Sequence, residues 1–504
     1  MTRDAGAIGT GLAPAREPRP IHPGERIHVV GAAGAGASAA ALLAAHGGAI
    51  VTACDAGGPS PYSEAMDHAG IWLVTGHDPS HVATTPPPDR LAVTKALTAV
   101  DPDNAELASA RERGIPVEAW QQVIADAATG RTLVAIAGTH GKSTTAGWLV
   151  HVLVTAGLDP SAFVGALLPA ALAGGTAATA RTGRGSAFVV EADEYAGNFD
   201  VYRPSIAVLT SVEWDHPDVF ADDDAVRVAF GRWLAAAPAE GRIVANVGDP
   251  GVAAVIARPE LEGRRVVRVA LEDTTRKVEA DLRGSISASE PDGTTVEVRG
   301  LDAGGRTTTI RLPSAGRHNV ANALCVAGAA MSLGIDPSAI VRGLETFPGV
   351  GRRLERKGEA SGVVVYDDYG HHPTAIAATV EAVRQREPGR RVWAVYEPLT
   401  YHRTAALIDE FAASLATADA VVIADIWAGR DPDTTIASDA GLADAVAAVR
   451  PDIPVAAPGS VDATTDWLAD RVRAGDAVLV MGGGQSYRIA TGLLERLDTE
   501  AARR

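Results

Sequence analysis

One stretch limits what this chain can fold into more than any other: Val134-Ala135-Ile136-Ala137-Gly138-Thr139-His140-Gly141-Lys142-Ser143-Thr144-Thr145. It reads as a short buried strand, a glycine-bracketed turn, a Lys-Ser pair and the start of a helix. Gly138 and Gly141 let backbone N–H groups approach an anion, Lys142 supplies a point charge for outer phosphates, and the Ser143 hydroxyl offers an oxygen to Mg²⁺ at the positive end of the helix. Of the 45 basic residues only four are lysines (Lys95, Lys142, Lys277, Lys357), so a lysine here is not compositional drift. The spacing departs from the common G-x-x-x-x-G-K-[ST] form, because Ile136 holds the place of the first glycine. The plain structural alternative is a glycine turn capped by a Ser-Thr helix start.

At 504 residues the chain exceeds what one core supports and implies three domains. A net charge of −17 argues against sequence-independent nucleic-acid binding, which needs clustered Lys and Arg. The two cysteines, Cys54 and Cys325, make neither a disulfide framework nor a C-x-x-C metal pair, which fits a reducing cytoplasm. Residues 1–25 lack an apolar run and read as a flexible tail, neither signal peptide nor membrane anchor.

Ile27–Val30, the turn Gly31-Ala32-Ala33-Gly34-Ala35-Gly36-Ala37-Ser38, a helix to about Ala45 and a strand Ile50–Asp55 form the pattern of a βαβ unit with a dinucleotide-type glycine turn. Alone, the turn fits a bound phosphate or close helix packing equally well. Asp55 stands at about the distance expected of an acid that holds a ribose or uridine. After the phosphate loop, strands at Ala187–Val190 and Ile206–Leu209 end in acidic or hydroxyl residues. Strands alternating with helices imply a parallel sheet with its ligand at the carboxyl ends. The alternation of Val, Ile and Thr from about Ala280 to Leu312 predicts inserted antiparallel hairpins. Strands at Gly362–Val365, Arg391–Val395, Ala420–Ala424 and Ala477–Val480 define a further α/β unit. The fold class is therefore α/β in three domains. A Rossmann-like unit spans 26–130, a central P-loop ATPase-type parallel-sheet domain 131–346, and a C-terminal Rossmann-like domain 347–504.

Polar clusters fall on the rims these strands define. Glu191-Ala192-Asp193-Glu194-Tyr195 places three carboxylates near Lys142, where Mg²⁺ would relieve their repulsion. Glu213-Trp214-Asp215-His216 follows the next strand; taken alone, His216 reads as a hydrogen-bonded structural histidine, and its place on the rim makes a metal role competitive. Asn319 and Asn322 lie one turn apart on a helix. Arg352-Arg353-Leu354-Glu355 and Asp367-Asp368-Tyr369-Gly370-His371-His372-Pro373-Thr374 follow across the boundary into the third unit.

Taken in order, the motifs G-T-H-G-K-S-T-T, E-A-D-E-Y, D-H after E-W, G-R-H-N-V-x-N-A, R-R-x-E and D-D-Y-G-H-H-P-T resemble those of the Mur ligases, over nearly everything from Arg26 to about Leu494. The branch that joins L-alanine to UDP-N-acetylmuramate is the most similar: where other branches carry a lysine that becomes carbamylated, this chain offers Phe230 and Arg232. The resemblance implies that ATP is held by Gly138, Thr139, His140, Gly141, Lys142, Ser143 and Thr144, with Asn319 and Asn322 as adenine or ribose contacts. Arg353 and Asp368 would come from the third domain to the phosphates and ribose. Ser143, Glu191 and His216 would hold Mg²⁺, with Lys142, Glu191, His216 and Arg353 as the catalytic set. Gly31, Gly34, Gly36, Ser38 and Asp55 would bind a UDP-N-acetylmuramate-like nucleotide sugar, and His371, His372, Glu397 and Leu399 would face the amino acid, L-alanine.

The resemblance implies an ATP-dependent ligase that activates a carboxylate as an acyl phosphate for attack by an amine, in peptidoglycan precursor synthesis. An amide ligase of specialised metabolism with another carboxylate or amine stays open, as does a non-catalytic nucleotide-binding homologue. The departures fall on the substrate side: the glycine turn itself, Thr94-Lys95-Ala96-Leu97, Glu397-Pro398-Leu399-Thr400-Tyr401 and Met481-Gly482-Gly483-Gly484-Gln485. Glu397 and Leu399, where the family has Gln and His, predict a negative charge beside the amine and a relaxed or shifted choice of amino acid.

Overall fold

The computed structural model describes residues 8–272, 278–302, 304–429, 431 and 433–503. Its strands form three sheets in chain order. In the first, β1 (Arg26–Val30), β2 (Ile50–Asp55), β3 (Leu73–Thr75), β4 (Arg90–Val93) and β5 (Val117–Ala119) pair in parallel in the order β3-β2-β1-β4-β5. The reversal of strand order at β1 opens a crevice at the carboxyl ends, where the glycine turn leaves β1.

The second sheet has ten strands: β6 (Thr132–Ala137), β7 (Ser161–Leu168), β8 (Ala178–Arg181), β9 (Ala187–Glu191), β10 (Ile206–Leu209), β11 (Arg242–Asn246), β12 (Arg265–Leu271), β13 (Leu282–Glu290), β14 (Gly293–Arg299) and β15 (Thr307–Leu312). Their order is β15-β14-β13-β12-β11-β10-β6-β9-β7-β8. β6 lies between β9 and β10, both parallel to it, so the phosphate loop, Glu191 and Thr210 emerge on one rim. The apolar runs of β6 and β10 are buried on both faces, as an interior parallel strand requires. The predicted hairpins β13–β15 are present and extend the same sheet as an antiparallel edge.

The third sheet comprises β16 (Glu355–Ala360), β17 (Val363–Asp368), β18 (Arg391–Glu397), β19 (Ala420–Ala424), β20 (Val455–Gly459) and β21 (Asp476–Gly482), in the order β16-β17-β21-β18-β19-β20. All but the edge pair β16–β17 run parallel. Among the described residues no helix is long and apolar enough to cross a membrane.

The segment read from sequence as a flexible tail is fixed from Ile8 onward, while residues 1–7 lie outside the described residues. Ile8 is buried against Tyr195 and Ala196 of the central domain, and its carbonyl accepts from the Thr98 hydroxyl. Arg16 forms ion pairs with Glu118 and Asp126, each at 2.7 Å, and Arg19 with Glu25 at 2.5 Å. Arg90, 2% exposed, reaches the same three carboxylates at 2.5–3.0 Å. These arginines are the counter-charges of carboxylates that the first domain buries.

Arg90→Leu leaves Glu25, Glu118 and Asp126 with cationic partners only from the segment before β1. Removing one member of a buried ion pair costs about 3–5 kcal/mol, and the loss should appear as a lower urea midpoint. Burial opposes the charges of Asp126 and Glu25, but the arginine contacts outweigh it and hold both below the usual carboxylate range. Their stabilising share is present above the unfolded carboxylate pKa and lost as pH falls through the folded values. In the Arg90→Leu protein acid unfolding should therefore begin at a higher pH than in the parent, measured by circular dichroism against pH.

Candidate active site

All three domains line one cleft of about 1220 Å³. The phosphate loop forms its floor. Gly138 (φ +139°) and Gly141 (φ +80°) adopt conformations that favour glycine. A side chain at Gly138 would strike the Thr210 hydroxyl, and one at Gly141 the Asn322 amide. The loop is thus sandwiched between the end of β10 and the helix Arg317–Ser332, and Asn319 and Asn322 border the cleft beside it. Lys142 folds back over the loop, donating to the Gly138 carbonyl at 2.7 Å and pairing with Glu194 at 2.9 Å and Asp193 at 3.7 Å. Burial opposes the ammonium charge, but Glu194, Asp193 and Glu191 outweigh it and raise the Lys142 pKa. Burial pushes the Glu194 carboxyl up to about 7 against the pull of Lys142. A loop cation with carboxylate partners stays charged until an anion replaces them.

The third domain reaches across the cleft. Arg353 donates to the Ser143 hydroxyl at 2.8 Å. Its flanking residues Arg352 and Leu354 have φ of +55° and +50°, conformations that cost about 1–3 kcal/mol each. Asp368 holds this kink by accepting from the Leu354 and Gly370 N–H groups, both at 2.7 Å, and Glu355 accepts from the Arg352 N–H at 2.8 Å. Tyr369 lies under both guanidiniums, 4.9–5.0 Å from its ring centre. Asp368 thus acts through the kink that presents Arg353.

Two further links join the central and third domains, and neither was picked out from the sequence. Glu213 binds His140 at 2.8 Å through one oxygen and accepts from the Thr374 hydroxyl at 2.7 Å through the other. Burial works against its charge, but His140 and His372 hold it down at about 2. Arg403 enters from the third domain, donating to Asp215 at 2.7 Å and to His216 Nδ1 at 3.2 Å. Both partners of the Arg403–Asp215 pair are buried, and despite burial Asp215 is held far below the carboxylate range by Arg403 and the histidines around it. Glu213 and Asp215 stood inside a recognised motif; Arg403 had no local signal.

The donor set for Mg²⁺ corrects part of the sequence reading. Ser143 and Glu191 border the cleft, and ligand atoms of Asp193, Glu194 and His216 lie within 4.8 Å of one another. A guanidinium can only donate, so the Arg403 contact leaves the proton of a neutral His216 on Nε2. In this arrangement His216 offers an N–H, not a lone pair, and steadies the carboxylates. The oxygen atoms of Ser143, Glu191, Asp193 and Glu194 suit a hard divalent cation, whose charge would offset the surplus of carboxylates over Lys142. Glu194, three residues beyond the Glu191 singled out from sequence, is the carboxylate nearest the loop lysine.

On the sugar side, Gly36 borders the cleft, together with Tyr62 and Trp120, whereas Gly31, Gly34, Ser38 and Asp55 do not. A side chain at Gly36 would overlap the Trp120 ring, and one at Gly31 would overlap Thr94, so both glycines have packing reasons. Asp55 accepts from the Ala33 and Gly57 N–H groups and so shapes the turn, and the Ser38 hydroxyl meets Thr179 of the central domain at 3.1 Å.

On the amino-acid side, His371, His372 and Leu399 border the cleft, and Glu397 does not. The Glu397 carboxylate accepts from the Gln485 and Ser486 N–H groups at 3.0 and 2.7 Å, at the start of the helix Tyr487–Arg503. The expectation of a free negative charge beside the amine is corrected: turn N–H groups take up both oxygens. His372 caps the helix Pro373–Arg386, and His371 sets Nδ1 against the Tyr369 carbonyl at 2.8 Å. Burial, with Arg403 adding, holds the His371 pKa well below the usual histidine value, so the ring is neutral.

Three family models match the chain in order: the Mur ligase family catalytic domain over residues 26–132, the Mur ligase middle domain over 136–330 and the Mur ligase glutamate ligase domain over 352–484. The chain belongs to the Mur ligase family. It is 39% identical to the UDP-N-acetylmuramate–L-alanine ligase of Kineococcus radiotolerans, over 94% of this chain and 96% of that protein. Among solved structures it resembles a murein peptide ligase from Psychrobacter arcticus, with TM-score 0.71 and 26% identity over 94% of this chain and 99% of the other. The fold is also that of the UDP-N-acetylmuramate-alanine ligase of Thermotoga maritima, with TM-score 0.76 and 21% identity over the same shares.

Lys142→Ala should reduce turnover by about a hundredfold or more, the loss expected for one transition-state charge contact of about 3 kcal/mol. Glu194, already raised to about 7, can take a proton when its partner is gone, so the variant should remain folded. Phosphate release and a thermal melt measured together separate the two effects.

Proposed function

We propose that this chain is an ATP-dependent, ADP-forming ligase that joins L-alanine to the carboxylate of UDP-N-acetylmuramate through an acyl phosphate, in peptidoglycan precursor synthesis. The observation that carries the reading is the meeting of Arg353 with Ser143 at 2.8 Å, which brings a cation of the third domain onto the phosphate loop of the second. The identity of about two residues in five with an alanine-adding relative over nearly the whole chain supports the substrates.

A carboxylate is a poor acyl donor until its oxygen becomes a good leaving group. Transfer of the terminal phosphoryl group of ATP to that oxygen gathers several anions in one place. Lys142 and Arg353 neutralise them in a cleft where charges interact more strongly than in water. Ser143, Glu191, Asp193 and Glu194 would hold Mg²⁺, which would supply positive charge to offset that of the phosphates. The amine then attacks the acyl carbon and phosphate leaves. The incoming amine must attack unprotonated, and neutral His371, with Nδ1 committed to the Tyr369 carbonyl, offers Nε2 as a hydrogen-bond acceptor that orients its N–H. The Glu213 and Arg403 links close the cleft against water, which would hydrolyse the acyl phosphate.

Purified protein with ATP, Mg²⁺ and UDP-N-acetylmuramate should release phosphate when alanine is added, with alanine ahead of serine, glycine and lysine in kcat/KM. Leu399→His should alter that ranking by a factor within the range of about 1–3 kcal/mol, whereas Glu397→Gln should lower thermal stability and leave the ranking unchanged. Phosphate release independent of every amino acid would refute the ligase reading. Arg353→Ala and Asp368→Ala should each impair ATP use, Asp368→Ala by releasing the kink; unchanged ATP constants in both would show that the third domain does not complete the site.

A further inference from the structure

Away from the cleft, the first domain buries a second cluster of metal-ligating groups. His28 on β1, Cys54 on β2, His81 at the end of the short helix Pro79–His81 and Glu106 on the helix Ala105–Glu112 place their ligand atoms within 4.8 Å of one another. His28, Cys54 and Glu106 are buried, and the His81 side chain is 15% exposed, so an ion has a way in. We propose that these four residues form a tetrahedral site for a borderline transition-metal ion of the zinc class, which ties the outer elements of the first domain to its central strands.

The spacing is the main argument. Metal–ligand bonds of about 2.0–2.3 Å place the corners of a tetrahedron about 3.3–3.8 Å apart. His28 Nε2 lies 3.3 Å from Cys54 Sγ, Cys54 Sγ 3.4 Å from Glu106 Oε2, and His81 Nδ1 3.2 Å from Glu106 Oε1. The His28–Glu106 contact, at 2.7 Å, is a hydrogen bond that a shared cation would replace. His77 Nδ1 stands 3.3 Å from the same sulfur and 3.6 Å from Glu106 as a further donor.

The surroundings match a metal site as well. His28 turns Nδ1 to the Thr52 hydroxyl at 2.7 Å, which orients Nε2 toward the sulfur and carboxylate, and Glu106 Oε2 accepts from the Asp78 N–H at 3.2 Å. A thiolate and a carboxylate with two neutral imidazoles balance a divalent ion. Binding displaces the thiol proton of Cys54, so affinity rises with pH. The site also bears on the glycine turn, since the Cys54 carbonyl accepts from the Gly31 and Ala32 N–H groups at 2.9 and 3.0 Å.

The test uses tag-free full-length protein with excess Mg²⁺ to fill the oxygen-lined phosphate site. After chelation and gel filtration, Co²⁺ is added and the absorption spectrum recorded, and Zn²⁺ content is measured in a parallel sample. The expected result is one equivalent of either ion per chain and a thiolate-to-cobalt charge-transfer band with the visible bands of a tetrahedral site. That band should vanish in Cys54→Ser, weaken in His81→Ala and persist in Cys325→Ser. Zn²⁺ should raise the melting temperature of the parent and not of His81→Ala. Parent protein that is folded yet shows no sulfur band, or a band that follows Cys325 instead of Cys54, overturns the proposal and leaves the cluster a hydrogen-bond network. The parent spectrum decides even if Cys54→Ser fails to fold.

Discussion

The buried pair between Asp215 and Arg403 is the constraint on which the closed arrangement depends. Asp215 lies in the loop that follows β10 of the central domain and Arg403 in the first turn of the helix Tyr401–Ala406 of the third; both are almost fully buried. Two charges taken out of water repay their desolvation only with close geometry and further hydrogen bonds, and Arg403 gains one more from His216. An opened cleft would return both groups to solvent, where they are comfortable apart. The pair therefore adds little net stability and much definition: it favours one relative position of the domains, the one that sets Arg353 on Ser143.

Around that position the electrostatics sort into two kinds. Glu213 and Asp215 are held ionised by His140 and His216 of their own domain and by Arg403 and histidines of the facing one, so their charge persists across the physiological range. Glu194 and Asp367 are pushed upward by burial, to about 7 and about 6. The linking carboxylates are thus permanently charged, while the carboxylates nearest the phosphate loop and its arginine pair can gain or lose a proton as ligands exchange.

Much of this was legible in the residues. The phosphate loop could be placed because its glycines, lysine and hydroxyl have few other uses in that order, and Ile206–Leu209 and Ala420–Ala424 because runs buried on both faces leave no polar interruption. Strands such as Arg242–Asn246 and Arg265–Leu271 were missed because arginine at a strand's solvent end hides the run behind it. The site was harder. Which of three neighbouring acids comes nearest Lys142 depends on the path of the chain after β9, and no spacing rule encodes that. Arg403 and the turn N–H groups that occupy Glu397 are long-range consequences of sheet order. Residues 8–25 looked mobile because their partners, Glu118 and Asp126, lie a hundred residues on.

That separation bears on how the chain is made. The segment from Ile8 to Glu25 is made before its partners, since Arg16 finds its carboxylates only once residues 118–126 have emerged, and Ile8 finds its seat only with Tyr195 and Ala196. Domains ordinarily fold in the order of synthesis. Here Ile8, made well before Tyr195 and Ala196, settles only after the phosphate loop of the second domain already exists.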